Sequence, residues 1–380
     1  GGALPLGGGR PAVLVGMERL AAIRSLDPEA RVLVAEAGVV LDRVHEAAHA
    51  AGLRFPLTLA AHGSATVGGL VSTNAGGTQV LRHGTMRARV LGLEAALPDG
   101  SALHQLAALR KDNAGLDARQ LLVGAEGTLG IVTAAALALA PPLAARTVAW
   151  AGVATPADAL ALLAALPEGV ESFELMPGDA LALVEAHIPG ARAPVALVHP
   201  WHVLIDIEAE AEALAGPLGA HAAEAVIAQS DAQAAALWAL REAVPEAERR
   251  AGPALKHDIA LPVAAVPDFL ASVAPEVEAA APGARVLAFG HLGDGNLHFN
   301  VRAPAGDAAG WIAAHGGRLT RLVHDRVAGR GGSIAAEHGV GWFKREELAR
   351  LGDPGRLAVM RAVKAALDPL GVMNPGKLLP

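Results

Sequence analysis

Two histidines in the last third of the chain stand at a spacing that could hold a metal ion. His291 and His298 flank Asp294-Gly295, a strong signal for a two-residue hairpin turn, and apolar residues lie on either side. A turn centred there pairs His291 directly with His298, with Cβ atoms roughly 4.5–5.5 Å apart. Asn300 lies two residues further on and shares that face. The spacing predicts two imidazoles that converge on one point, although two opposed histidines can equally form a plain surface pair.

An acidic residue beside another histidine offers a further ligand. Glu337 and His338 lie between the apolar run 334–336 and two glycines, where a charged side chain is costly unless it faces a polar group. Two histidines leave a metal ion under-coordinated, and a carboxylate gives a His/His/Glu set with coordination positions open for a substrate. The chain has no cysteine, so histidine and carboxylate are the ligands that it can offer.

Two glycine-rich segments indicate a bound anion. In residues 63–77 the glycines let backbone amides approach a diphosphate, and the hydroxyls of Ser64 and Thr66 can add hydrogen bonds. This segment has neither the Gly-Lys-Ser/Thr of a Walker loop nor the Gly-x-Gly-x-x-Gly of a Rossmann fingerprint. Residues 124–133 form the second segment, after an apolar run. Taken alone, a glycine-rich segment is more typical of a surface loop.

Together the two segments resemble the PCMH-type FAD domain of the vanillyl-alcohol oxidase superfamily. The matching motifs, in the order and spacing of the family, are Gly-Ser-x-Thr-Val-Gly-Gly, Asn-Ala-Gly-Gly, Leu-Pro-Asp-Gly and Glu-Gly-Thr-Leu-Gly-Ile-Val-Thr. The family carries its pyrophosphate loop just ahead of the stretch that opens here at Gly1, so we expect the sequence to be a fragment that lacks this loop and its strand. The resemblance implies non-covalent FAD, lined by Ser64, Thr66, Gly69, Asn74, Glu126, Gly130 and Val132.

The C-terminal motifs narrow the resemblance. Gly-His-Leu-Gly-Asp-Gly-Asn-Leu-His, Ala-Glu-His-Gly-Val-Gly and Asn-Pro-Gly-Lys are similar to motifs of the group that contains D-2-hydroxyglutarate dehydrogenase, D-lactate dehydrogenase and the flavoprotein component of glycolate oxidase. With the flavin motifs, the similarity covers essentially the whole chain. It implies a divalent metal, zinc, on His291, His298 and Glu337, and His338 as general base. It also implies that Asn300 contacts the substrate and Asn374 the cofactor.

Two basic residues are candidate anchors for a substrate carboxylate. By the same resemblance Arg241, in Leu-Trp-Ala-Leu-Arg-Glu, binds the carboxylate, and Lys256 is a second anchor. Arginine suits bidentate recognition of a carboxylate, whereas lysine acts as a point charge. The alternative is that Arg241 is one solvated charge on an amphipathic helix. Pro245 stands where the D-2-hydroxyglutarate enzymes have a threonine, which argues against hydroxyglutarate in particular.

Short strands and helices must position these residues. Residues 41–52 predict a helix closed by Gly52, and the Pro-Asp-Gly turn after residue 97 ends a strand. The uncharged stretch 127–145 contains glycines and prolines that favour a strand and an exit loop over a membrane span. The segments typical of strands are residues 13–15, 31–35, 90–97 and 203–207.

The length and composition favour two domains. The chain has 380 residues, of which 52% are hydrophobic and 18% charged, enough for a sizeable core. The pattern changes near Pro141-Pro142, so we expect an α+β fold with a PCMH-type FAD-binding domain over 1–142. An α+β cap or substrate domain with the FAD-linked oxidase C-terminal segment follows over 143–380. The net charge is −7 with no long basic cluster, which argues against nucleic-acid binding.

The sequence therefore predicts FAD-dependent, metal-assisted oxidation of a D-2-hydroxy acid: D-2-hydroxyglutarate first, then D-lactate or glycolate. His338 takes the hydroxyl proton, and hydride passes to flavin N5. An acceptor must then take the electrons. The candidates are an electron-transfer flavoprotein, a quinone or a cytochrome. We expect a homodimer that is cytoplasmic, or peripheral to the membrane through this acceptor. Two alternatives are a metal-dependent hydrolase that uses the His/His/Glu set and an inactive or partial flavoprotein subunit.

Overall fold

The computed structural model describes residues 13–109 and 111–379, which divide into two compact units. The first unit runs to Pro142 and resumes at Glu337; the second is Leu143–Ala336. The sequence-based division placed 337–380 with the second domain, whereas here this segment packs with the first. The expectation that the chain lacks a pyrophosphate loop ahead of Gly1 concerns a stretch outside the described residues.

The helices and strands are as follows. The strands are β1 (Ile23–Asp27), β2 (Val32–Glu36), β3 (Val90–Ala96), β4 (Ala102–Gln105), β5 (Ile131–Ala138), β6 (Thr147–Val153), β7 (Val170–Pro177), β8 (Trp201–Ile207), β9 (Glu224–Ile227), β10 (Ala254–Ala260), β11 (Arg285–His291) and β12 (Asn296–Arg302). The α-helices are α1 (Leu41–Ala50), α2 (Val67–Thr73), α3 (Val80–His83), α4 (Met86–Arg89), α5 (Arg119–Leu122), α6 (Pro156–Ala165), α7 (Gly178–His187), α8 (Glu212–His221), α9 (Asp231–Glu242), α10 (Val244–Ala251), α11 (Val266–Ala280), α12 (Ala308–Ala328), α13 (Arg345–Leu351) and α14 (Pro354–Leu367), with a 3₁₀ turn at Val263–Ala265.

The first unit is built on an antiparallel sheet of order β1-β2-β5-β3-β4. Helix α1 packs on it through Leu41, Val44 and Ala48, which recur at helical spacing and are buried. Gly52 has a φ of +70° just beyond this helix, as the predicted glycine stop requires. Residues 13–15 were expected to form a strand, but they lie outside any strand, and Val13 is 90% exposed. A short apolar run becomes a strand only where another strand pairs with it.

The second unit is a seven-stranded antiparallel sheet of order β10-β12-β11-β7-β8-β6-β9. Its central strands β7 and β8 are buried along almost their whole length because helices cover both faces. One face packs Leu204, Leu287 and Phe289 against α7, α9 and α10. The polar residues described below lie at the β10-β12-β11-β7 end of this same face. The predicted α+β fold is confirmed.

None of the helices in the described residues is long and apolar enough to cross a membrane. The uncharged stretch 127–145 forms strand β5 and the loop that leaves it, as predicted.

Candidate functional site

The histidine hairpin is formed by β11 and β12, and its register differs from the predicted one. His291 pairs with Asn296, so the turn holds the four residues 292–295 rather than two, and the expected pairing of His291 with His298 is wrong. The wider turn is held by Asp294, whose carboxylate accepts the backbone N–H of Asn296 at 3.0 Å. This side-chain bond favours a four-residue turn. Asp294 and Gly295 are then its last two residues and not the central pair.

The two histidines nevertheless share one face of the sheet. The pairing is shifted by two residues, so the alternation of side chains is kept and His291 lies diagonal to His298. The ring centroids are 5.7 Å apart, with the ring planes at 76°. One ring nitrogen of each lies within 4.8 Å of a ring nitrogen of the other. This separation suits two ligands of one metal ion, whose bonds to histidine nitrogen are about 2.0–2.1 Å.

A buried carboxylate orients His291. Glu174, in β7 beside β11, is 0% exposed, and its Oε1 lies 2.6 Å from His291 Nδ1. Its Oε2 accepts the Nε–H of Arg241 at 2.8 Å. Burial opposes ionisation of this carboxyl, but the interactions with His291 and Arg241 outweigh it and lower the pKa of Glu174 to about 2. A histidine whose Nδ1 is bonded to a carboxylate is held in one ring orientation, as metal-binding histidines commonly are.

Arg241 joins the same cluster from helix α9. It is 6% exposed, forms an ion pair with Glu174, and its Cζ lies 5.4 Å from the centre of the Phe289 ring. The alternative of a solvated charge on an amphipathic helix is therefore wrong. Because Glu174 binds Nε, the terminal guanidinium nitrogens are the atoms that can meet a substrate carboxylate.

His298 faces a second buried carboxylate. Asp258 is its partner across β10 and β12, and Asp258 Oδ1 lies 4.0 Å from His298 Nδ1. The same oxygen accepts the side-chain amide of Asn296 at 3.0 Å. At 4.0 Å the carboxylate influences His298 through its charge rather than through a direct hydrogen bond. Each of the two histidines therefore has a carboxylate on its Nδ1 side.

The other two predicted substrate contacts lie side by side on this face. Lys256 and Asn300 are Cα partners across β10 and β12. The amide Nδ2 of Asn300 donates to Glu248 Oε2 at 2.8 Å, and Lys256 Nζ lies 3.6 Å from the same oxygen. Both residues are thus held by one buried carboxylate that sequence reasoning did not single out.

In the first unit, Glu126 forms three hydrogen bonds with residues of the C-terminal stretch 337–380. Its carboxylate accepts the backbone N–H of Val340 at 2.8 Å and that of Gly341 at 2.7 Å, and its backbone carbonyl accepts the side-chain amide of Asn374 at 2.6 Å. Glu126 has a φ of +52°, a strained conformation for a residue with a side chain. The two predicted flavin residues Glu126 and Asn374 are therefore brought together and hold the backbone around them.

Glu337 and His338 lie just before Val340 and Gly341, the residues bound by the Glu126 carboxylate. Glu337 is half-buried and His338 is exposed. Gly339 follows with a φ of +72°, and a Cβ there would stand 2.6 Å from Glu126 Oε1. The residue before Glu337 is Ala336, and its backbone N–H donates to the Asp258 carbonyl at 3.4 Å.

Four of the predicted flavin residues lie around the short helix α2. Thr66 is its N-cap and accepts the backbone N–H of Gly69 at 3.4 Å, and Ser64 precedes it. Asn74 ends the helix in the left-handed conformation, with a φ of +50°. The remaining pair, Gly130 and Val132, stand at the start of β5.

Sequence reasoning missed the carboxylates Glu174, Asp258 and Glu248. Glu174 interrupts the apolar run Phe173-Glu174-Leu175-Met176, and an acid within a buried strand is costly unless it is paired. This cost could have identified Glu174 as a paired residue from the sequence. Glu248 sits in a polar helical stretch, so nothing in its neighbourhood distinguished it from a surface residue.

Comparison with known families and proteins gives consistent matches. Residues 143–378 match the family of FAD linked oxidases, C-terminal domain, and residues 1–105 match an FAD binding domain. The D-2-hydroxyglutarate dehydrogenase of Xanthomonas citri pv. viticola is 38% identical over 100% of this chain and 83% of its own length. The mitochondrial D-2-hydroxyglutarate dehydrogenase of Bos taurus is 38% identical over 92% of this chain. The chain spans 65% of the length of the bovine protein.

Among solved structures, an alkyldihydroxyacetonephosphate synthase superposes with a TM-score of 0.68 at 16% identity. The superposition covers 94% of this chain and 66% of the other. At this identity the likeness concerns the fold alone.

Proposed function

The chain belongs to the family of FAD-linked oxidases, in the group of the D-2-hydroxyglutarate dehydrogenases, and from that premise we propose that it oxidises D-2-hydroxyglutarate to the 2-oxo acid. D-lactate and glycolate are the next candidate substrates. The observation that carries the proposal lies on one face of the second unit. There the sheet and α9 bring Arg241, Asn300 and the pair His291 and His298 into one cluster.

The chemistry of these side chains supports a site for a hydroxy acid. Arg241 binds the carboxylate next to C2, and Asn300 contacts the substrate. His338 takes the proton of the C2 hydroxyl, and its side chain is exposed. FAD, when bound, supplies the acceptor for the hydride that leaves C2.

We propose that His291, His298 and Glu337 hold a divalent metal, zinc. The donor set fits such an ion, because one imidazole already has its Nδ1 bonded to a carboxylate, an arrangement typical of histidine ligands. Glu337 follows Ala336, whose backbone is bonded to Asp258, the strand partner of His298. A bound divalent ion would lower the pKa of the substrate hydroxyl.

The proposed flavin contacts are of two kinds. Around α2 the candidates Ser64, Thr66, Gly69 and Asn74 offer hydroxyls, an amide and close backbone approach, which suits the diphosphate and ribose. Glu126 and Asn374 use polar atoms to bind backbone groups of the first unit, which supports a role in positioning this backbone. The candidates at the start of β5, Gly130 and Val132, complete the set.

The dehydrogenase reaction also requires an electron acceptor. We propose an electron-transfer flavoprotein, a quinone or a cytochrome for this role, and a homodimer as the assembly.

The first experiment is an anaerobic visible spectrum of the FAD-loaded protein before and after addition of D-2-hydroxyglutarate, then D-lactate. We expect flavin bands that bleach with one of these acids, and a His338→Ala variant that binds FAD but bleaches far more slowly. A protein that stays colourless with added FAD would contradict the flavoenzyme and favour a metal-dependent hydrolase. A yellow protein that neither acid bleaches would contradict the substrate class.

A further inference from the structure

Helix α9 is bound to the sheet by two carboxylates, at points one helical turn apart. Glu174 in β7 binds Arg241, and Asp206 in β8 accepts the indole N–H of Trp238 at 2.9 Å. Glu174 pairs with Leu204, so the two carboxylates lie on the same face of the sheet, two residues apart along the strands. Trp238 precedes Arg241 by three residues, which places both side chains on the same side of α9.

Arg146 fixes the orientation of the Asp206 carboxylate. Asp206 is 6% exposed, and Arg146, the residue before β6, binds both of its oxygens. Nε of the arginine lies 3.0 Å from Oδ1, and Nη2 lies 2.6 Å from Oδ2. The oxygen that accepts from Trp238 is Oδ2, and a bond from a neutral donor to a charged acceptor is stronger than one between neutral groups. The indole of Trp238 is therefore bound to an acceptor that cannot easily turn away.

The apolar contacts of α9 do not define its position as narrowly. Ala234 and Leu237 are buried, and Trp238 and Leu240 pack partly buried against the same hydrophobic cluster. Apolar contacts are non-directional, so they tolerate a small shift of the helix over the sheet. A hydrogen bond restricts both a distance and an angle. The contact between Trp238 and Asp206 therefore limits such a shift.

The direction of the Arg241 guanidinium depends on the position of α9. Glu174 binds Arg241 at Nε, and this bond does not by itself fix the plane of the guanidinium. A shift of the helix moves the Arg241 backbone and, with it, the terminal nitrogens. Two-point recognition of a carboxylate by these nitrogens requires a defined distance and plane. A residue that fixes α9 therefore also fixes how Arg241 meets a carboxylate.

We propose that Trp238 and Asp206 are positioning residues for substrate binding, which act through Arg241. The inference rests on the proposed oxidation of D-2-hydroxy acids, with Arg241 as the anchor for their carboxylate. That carboxylate is bound in the ground state and in the transition state alike. Loss of the contact between Trp238 and Asp206 should therefore raise KM and leave kcat nearly unchanged.

Trp238→Phe tests the contact, because it removes the indole N–H and keeps an aromatic ring on the helix. In the FAD-loaded enzyme we expect KM for the hydroxy acid to rise roughly three- to tenfold. The matched control is Trp311→Phe, which removes an indole bond to the Pro282 carbonyl at 2.9 Å in the same unit. The control should keep the wild-type KM. An unchanged KM in Trp238→Phe, or an equal rise in both variants, would overturn the proposal.

A double-mutant cycle tests whether Trp238 acts through Arg241. The cycle combines Trp238→Phe with Arg241→Lys and compares the KM of the double variant with those of the single variants. If the tryptophan serves to place the guanidinium, it has little left to place in Arg241→Lys, so the second change should add little. Effects on KM that multiply would mean that Trp238 acts independently of Arg241, as a purely structural residue would, and would overturn the proposal.

The outcomes separate this inference from the function on which it rests. A wild-type enzyme that oxidises a 2-hydroxy acid with a KM insensitive to Trp238→Phe overturns the positioning role alone. A wild-type enzyme that oxidises no 2-hydroxy acid overturns the proposed function, and the positioning role with it.

Discussion

Glu174 Oε1 lies 2.6 Å from His291 Nδ1, although the two residues are 117 positions apart in the sequence. The other oxygen of the same carboxylate binds Arg241. One buried side chain therefore orients both a proposed metal ligand and the proposed anchor for the substrate. A change at Glu174 should affect metal binding and substrate binding together.

Glu174→Gln should weaken metal binding. Glutamine has one acceptor oxygen where glutamate has two, so either His291 or Arg241 loses its partner. Loss of a carboxylate that orients a histidine ligand typically costs roughly 10–100-fold in metal affinity. Competition with a zinc chelator measures this affinity. Glu168→Gln, an exposed residue of the same unit, should leave it unchanged, and an unchanged affinity in Glu174→Gln would contradict the orienting role.

Arg241→Lys should raise KM for the hydroxy acid. Lysine keeps the charge but lacks the planar fork, so it cannot bind Glu174 and a substrate carboxylate in the same way. We expect KM to rise about tenfold, equivalent to about 1.4 kcal/mol. Steady-state kinetics check this, with Arg250→Lys at the exposed end of α10 as the control. A KM within error of the wild-type value would exclude Arg241 as the anchor.

Gly339→Ala should lower the stability of the protein by straining the backbone next to His338. Alanine at a φ of +72° is strained by roughly 1–2 kcal/mol, and its Cβ would also press on Glu126 Oε1, 2.6 Å away. Gly371→Ala is a matched control, because its φ is +62° and no atom lies within 4 Å of the added Cβ. Urea unfolding should show a larger loss of stability for Gly339→Ala. Equal losses would mean that the contact with Glu126 adds nothing.

The stability of the protein should decrease in mild acid because of His202. Burial, with a smaller contribution from His199, lowers the pKa of His202 from 6.5 to about 4. Between these values the unfolded chain binds a proton and the folded protein does not. The contribution of His202 is therefore complete above pH 6.5 and is lost as the pH falls to 4. We expect a loss of about 1–2 kcal/mol in unfolding free energy over this range.

A variant isolates this contribution. The Nδ1 of His202 accepts the indole N–H of Trp150 at 3.3 Å, and the Oδ1 of an asparagine can take the place of that nitrogen. His202→Asn cannot titrate, so its urea midpoint should fall less between pH 7 and pH 4.5 than that of the wild type. Parallel curves for the two proteins would assign the pH dependence to other groups.

The sequence predicted the hairpin and the shared face of its histidines, but not the register. Asp294-Gly295 indicated a turn at the correct place, and side-chain alternation survives a shift of two residues. The turn length depends on contacts made outside the hairpin. Gly293 donates to the Phe173 carbonyl at 3.2 Å, and the Gly295 carbonyl accepts from Leu261 at 3.0 Å. Neither contact can be inferred from the local pattern.

The carboxylates around the site were missed for a related reason. Periodicity indicates which residues of a strand share a face, but it does not indicate which strands become neighbours. Glu174 reaches His291 only because β7 pairs with β11 in the folded sheet. The family motifs identified the residues proposed to contact ligands, whereas the residues that hold those side chains in place required the structure.

The division of the first unit into two stretches of sequence has a consequence for synthesis on the ribosome. Val363 and Leu367 of α14 pack against its core, and Lys364 donates to the Thr128 carbonyl at 2.7 Å. The second unit is continuous and can fold as it emerges, but the first must wait until its second stretch has been made. The 225 residues from 143 to the end of α14 take roughly 11–45 s at about 5–20 residues per second. During that time the apolar surface that α14 covers stays open to water, to other nascent chains and to chaperones.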